Sequence, residues 1–199
     1  MRDPGTVLSV LTGLGLSSAA GLNAFIPALV VGLLDRHSDL VRLPAEFAWL
    51  ADGRVLALLA LLLAAEVVVD KVPVVDTVND IMQTLIRPAS GGAVFAATEA
   101  AARVDDSTFM RDNPWIGWTL GIAVALIVHL TKTSVRPVVN AGTLGAGAPV
   151  VSTVEDTFSL GMSLLAVLAP VVALIGLAML GYVGYRLLRL RRRREEQPG

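Results

Sequence analysis

Two stretches of this chain, Val7–Leu34 and Thr157–Tyr185, contain no charged residue. A helix needs about 20 apolar residues to cross the hydrocarbon core of a bilayer. A third run, Trp115–Val128, is shorter but continues through His129 to Thr131. No soluble fold needs three such runs in one small chain. The runs therefore set the class: an all-α, polytopic transmembrane helical bundle of about five spans, some of them broken or re-entrant. It reads as a single integral-membrane domain over 1–190 with a basic cytoplasmic tail over 191–199.

Between the runs lies a motif that occurs twice. Pro73-Val-Val-Asp-Thr-Val-Asn-Asp80 and Pro149-Val-Val-Ser-Thr-Val-Glu-Asp156 both read Pro-Val-Val-x-Thr-Val-x-Asp. This suggests an internal duplication with halves at 55–104 and 115–187. Proline disfavours helix in the residue before it, so Val72 and Ala148 are expected to be extended, with Asp76 and Ser152 as N-caps. From Asp76 the polar residues fall at Asp80, Gln83 and Arg87, on one helical face opposite Val78, Ile81, Met82 and Leu85. The flanking apolar spans favour a buried polar seam over a solvated interfacial face.

The first run, of about 28 residues, is longer than a bilayer requires. Its Gly21, Asn23 and Pro27 allow either a break lining a cavity or one long tilted helix. Its Arg2 and Ser17-Ser-Ala-Ala20 imitate a signal peptide, but the apolar run continues to Leu34 and so reads as a membrane segment. A second span, Val55–Val69, ends in Glu66 and Asp70, four apart on one face. They could take up a proton or cation, or be neutralised by Lys71 or by a base on another helix. The third segment, 76–104, is expected to break at Arg87-Pro-Ala-Ser-Gly-Gly92, with a re-entrant hairpin as the competing form and Glu99 paired to Arg103. The fourth places His129, Lys132 and Arg136 on one face. Val138–Ala148 then reads as a glycine-rich linker or anion nest, and the last span is kinked at Pro170.

Arg186, Arg189 and Arg191 to Arg194 place the C-terminus in the cytoplasm. Five spans then put the N-terminus outside. Lys71, Lys132 and Arg136 fall at outer ends against the positive-inside preference, which marks them for a site. A further basic cluster with interleaved aromatics, which nucleic-acid binding predicts, is absent. With no cysteine, disulfides, thiolate metal sites and cysteine catalysis are excluded.

Gly21-Leu-Asn-Ala-Phe-Ile-Pro27, Asp70-Lys-Val-Pro-Val-Val-Asp76, Ile86-Arg-Pro88, Lys132 with Arg136 and Asn140, and Glu155-Asp156 resemble a bacterial integral-membrane family, domain of unknown function 4126. The resemblance implies an integral-membrane protein and no activity. The chain departs from the family pattern at Glu66-Val-Val-Val, so Asp70 and Lys71 are firmer site members than Glu66.

The candidate ion or solute site is Asn23, Asp70, Lys71, Asp76, Asp80, Arg87, Lys132, Arg136, Asn140, Glu155 and Asp156. Acids at 70, 76 and 80 would take a cation or proton, while Lys132 and Arg136 would hold an anionic group or act as counter-ions. The leading reading is a small transporter or channel for an ion or small polar solute. The alternative is a membrane scaffold or lipid-binding protein with structural salt bridges. An intramembrane enzyme ranks last, since no nucleophile–base pair or histidine-rich metal motif is present. No cofactor is expected. The implied partners are the lipid bilayer, an ion or small solute and a second copy of the chain, with no nucleic acid.

Overall fold

The computed structural model describes residues 4–71, 73–102, 113, 115–173, 175, 176, 178, 179, 182 and 186; the side chains of 4–6, 73–78, 99–102 and 140 are outside that description. The described residues are predominantly helical, and no strand occurs among them. Its helices are α1 (Pro4–Leu22), α2 (Phe25–His37), α3 (Gly53–Val69), α4 (Pro73–Ala102), α5 (Trp115–Thr143) and α6 (Ala148–Leu168). A short 3-10 turn, Ala48–Ala51, precedes α3.

The first uncharged run breaks at Asn23 and Ala24. The Asn23 Oδ1 accepts the N–H groups of Phe25 (3.0 Å) and Ile26 (3.2 Å), offering α2 the partner that its first turn lacks. Contacts on either side of the break fix the direction of the chain. In α1, Gly13 packs on the Phe95 ring, Ser17 Oγ donates to the Gly91 carbonyl, and the Gly21 carbonyl faces Arg87, so α1 is antiparallel to α4. Past Asn23 the register reverses. The Ala24 carbonyl accepts from Ser90, Gly32 meets Leu50 and Leu56, and Phe47 packs on Trp118, which lies over Gly92. The two helices therefore form a hairpin with its tip level with Arg87, midway along α4. The break reading holds, and a single span over Val7–Leu34 does not. The start of α1 shares an end of the bundle with the loop before α3, whereas the five-span expectation separates them.

The third segment corrects the sequence reading in the opposite sense. α4 runs unbroken for 30 residues with Pro88 inside it, so the chain breaks and reverses in the first run and not in this one. Gly91 serves packing here: a Cβ on it would meet Ala125 and the Gly121 carbonyl, so α4 and α5 approach almost backbone to backbone. The prolines of the repeated motif also act differently from expectation. α4 begins at Pro73, and α6 begins at Ala148 with its proline in the first turn. Proline's fixed φ suits that turn and its missing N–H costs nothing there. Asp76 and Ser152 thus lie inside helices rather than capping them, and Ala148 is helical rather than extended. Val72 and the Glu99–Arg103 pair fall outside the described residues and side chains.

α5 extends through Pro137 to Thr143, absorbing half of the expected glycine-rich linker. What remains is a tight turn through Leu144 (φ 52°) and Gly145 (φ 86°). At the other end of α6 the break at Ala169 (φ −150°, ψ 68°) is sharper than a kink. It returns Ala173 to Gly15 beside Ala166, leaving an apolar groove between α6 and Val172 to Gly176.

Polarity is inverted relative to a water-soluble bundle. On α4, Asp80, Gln83 and Arg87 are buried while Ile81, Met82 and Leu85 are 70%, 62% and 80% exposed, so the buried polar seam is observed. Leu61, Ile127 and Val154 are likewise turned outward. α5 and α6 are each long and apolar enough to cross a membrane.

Candidate functional site

Spacing on four helices sends charged side chains to one level of the interior. α3 supplies Glu66 and Asp70 from its end, α4 supplies Asp80 and Arg87, α5 supplies His129, Lys132 and Arg136, and α6 supplies Glu155 and Asp156. The Arg87 guanidinium is fully buried and donates from Nη2 to Glu66 Oε1 at 2.9 Å. Its wider neighbours are Asp80 Oδ1 at 3.8 Å and Asp70 Oδ2 at 3.9 Å. Lys132 Nζ stands 3.1 Å from Glu155 Oε2 and 3.6 Å from Asp70 Oδ2. Arg136 donates to Asp70 Oδ2 at 3.1 Å and to Glu155, and lies 3.7 Å from Asp80 Oδ2. Asn79 Nδ2 donates to Asp70 Oδ1 at 2.8 Å.

Two of these cations also solve the problem posed by the interior end of α1. A helix C-terminus leaves carbonyls without partners and carries the negative end of the macrodipole. Lys132 Nζ donates to the Leu22 carbonyl at 3.0 Å, and Arg87 Nη1 reaches the Gly21 carbonyl at 3.5 Å. The complementary arrangement serves α2: Asn23 Nδ2 donates to Asp156 Oδ1 at 2.9 Å, setting an acid near that helix's positive N-terminus.

His129 links the network to α4. Arg87 Nη1 is a donor, so His129 Nδ1 at 3.2 Å accepts. Thr84 Oγ1 donates to the Asp80 carbonyl at 2.9 Å, which leaves its lone pairs for His129 Nε2–H at 3.0 Å. The hydrogen bonds thus specify a neutral, Nε2-protonated imidazole.

Of the residues anticipated from sequence, Asn23, Asp70, Asp80, Arg87, Lys132, Arg136, Glu155 and Asp156 are brought together. Lys71 is not: its Nζ donates to the Val67 carbonyl of its own helix at 2.8 Å. The side chains of Asp76 and Asn140 lie outside the described set. Sequence reasoning left out Glu66, His129, Asn79 and Thr84. The three-and-four spacing that joins His129 to Lys132 and Arg136 was sufficient to include the histidine. The i, i+4 step from Glu66 to Asp70 was a better guide than the departure from the family pattern. Among the described residues, no three carboxylate or imidazole groups converge as metal ligands would.

The fold and site define an all-helical protein whose outer faces are apolar and whose interior holds an ion-pair network around a broken helix. The chain belongs to the family described as Domain of unknown function (DUF4126), whose model matches residues 10–190. No curated protein and no solved structure matches it.

Proposed function

We propose that this is a multi-pass protein of the cell membrane that passes an ion or small polar solute through the charged network between its helices. The observation that carries the reading is the meeting of a helix break with seven ionisable groups of ion-pairing distance in the middle of an apolar bundle. Charges at such a depth are costly, and interior helix ends aimed at them recur in proteins that bind solutes within the bilayer. The Pro-Val-Val segments start helices at one end of the bundle, which supports parallel repeat halves. The arginine tail is assigned to the cytoplasm on the positive-inside preference.

The alternative is a non-transporting scaffold or lipid-binding protein. It is favoured by the direct acid partners of Arg87, Lys132 and Arg136, since buried pairs also serve to specify a fold. An intramembrane enzyme remains the least favoured reading. Reconstituted vesicles given inward gradients of monovalent cations, anions, amino acids and sugars separate the first two. Gradient-dependent flux of any of these supports the transport reading. No flux from any, with a phospholipid co-purifying at fixed stoichiometry, replaces it with the second.

A further inference from the structure

The acids and bases of the network do not balance. Glu66, Asp70, Asp80 and Glu155 surround Arg87, Lys132 and Arg136, four against three. Asp156 on α6, held by Asn23, is a further acid, Lys71 Nζ is turned back on its own helix, and His129 on α5 is neutral by its hydrogen bonds, so none of them offsets the excess. These are the titratable groups that α3, α4, α5 and α6 turn toward the network among the described side chains. An unbalanced charge in an apolar interior is expensive, and a proton on one carboxylate reduces it.

The four acids are not equivalent. Both oxygens of Asp70 accept hydrogen bonds, Glu155 has Lys132 and Arg136, and Glu66 has Arg87 on Oε1, its Oε2 being buried without a donor. Asp80 differs, because its nearest cations stop at 3.7 and 3.8 Å, beyond hydrogen-bond reach. Its Oδ1 is buried without a hydrogen-bond donor. So is Oε1 of Gln83, one turn along the same face and 3% exposed. A carboxylic O–H on Asp80 would supply a donor within this seam, since a protonated carboxyl donates where a carboxylate only accepts.

We propose that Asp80 takes up and releases a proton, and that H⁺ is the ion the site handles. This rests on the transport reading of the cluster. On uptake, a proton from water bonds to an Asp80 carboxylate oxygen, which leaves three carboxylates around the three cations. On release, the O–H bond breaks, the proton returns to water, and the electron pair stays on oxygen. Arg87 and Arg136 stand ready to stabilise the carboxylate that reforms.

The test is infrared difference spectroscopy of the purified protein in phospholipid nanodiscs during pH titration, where a buried protonated carboxyl shows a C=O stretch separate from the carboxylate bands. Wild type should gain this band reversibly on acidification, Asp80→Asn should lack it, and Asp39→Asn, changed in an exposed loop, should keep it. A wild type without the band, or an Asp80→Asn protein that retains it, overturns the proposal. If Asp80→Asn does not fold, Asp80→Glu replaces it: a band shifted in frequency or titration midpoint supports Asp80, and an unmoved band overturns it. Vesicles carrying an internal pH dye under an imposed potential test the underlying reading separately. The band without proton flux leaves a proton site and removes transport of H⁺. Flux of another solute without the band keeps the transport reading and removes the proton.

Discussion

Removing the Arg87 guanidinium tests the energetics of the interior most directly. Arg87→Met keeps length and apolar volume, but strips Glu66 of its 2.9 Å partner while that carboxylate stays 2% exposed. It also frees the Gly21 carbonyl and the Nδ1 of His129. Breaking a buried pair from one side costs about 3–5 kcal/mol, most of it the penalty of stranding the other charge. Glu66→Met alone should cost less, because Asp80 and Asp70 still stand 3.8 and 3.9 Å from Arg87. Removing both should recover much of the loss, since apolar replacement of a buried pair is often close to neutral. The double variant should nonetheless remain about 1–3 kcal/mol below wild type, for Gly21 and His129 still lack a donor. Unfolding in one fixed detergent, followed by the fluorescence of Trp49, Trp115 and Trp118, gives the order wild type, double variant, Arg87→Met. Losses that simply add, leaving the double variant least stable, would show that Glu66 and Arg87 do not act as a pair.

Three further outcomes follow from the fold. Asn23→Asp keeps an acceptor for the start of α2 but loses the donor to Asp156 and sets two acids together, so it should melt below Asn23→Ser, which itself loses about 0.5–2 kcal/mol. Gly121→Ala should cost about 1–3 kcal/mol because its Cβ would meet the Gly91 carbonyl, whereas Gly161→Ala, with open space around it, should be neutral or stabilising by up to about 1 kcal/mol; thermal unfolding of both checks this. With no native cysteine, Gly5→Cys and Ser38→Cys should label from the same face of the membrane and Thr143→Cys from the other. Labelling of positions 5 and 38 from opposite faces would restore a single span over the first run.

Much of the site was legible in the sequence because the relevant signal is local. Steps of three and four residues along α4 and α5 are enough to place Asp80, Gln83 and Arg87, or Lys132 and Arg136, on common faces, and long uncharged runs show which faces cannot be wet. The direction of the chain after Asn23 was not legible. A break and a reversal carry the same glycine, asparagine and proline, and only contacts with residues such as Ser90 and Leu50 distinguish them. The same limit explains the error at Arg87 to Gly92. Proline and paired glycines there look like a hinge, but neighbours on α5 use the glycines for close approach and the helix runs on without a break. Glu66 was legible as a carboxylate and not as a partner of Arg87, because that pairing is tertiary.

The hairpin of α1 and α2 also bears on the order of assembly. A chain is made from its N-terminus, so this element is made before α3 to α6. Its tip carries a side-chain amide and two carbonyls whose partners are Arg87, Lys132 and Asp156, placed 66, 110 and 133 residues later. Until those helices exist, neither a bilayer nor the hairpin itself can satisfy the tip. The hairpin is therefore made before its partners yet reaches its final position only after them, and a chain halted before α6 has nowhere stable to bury it.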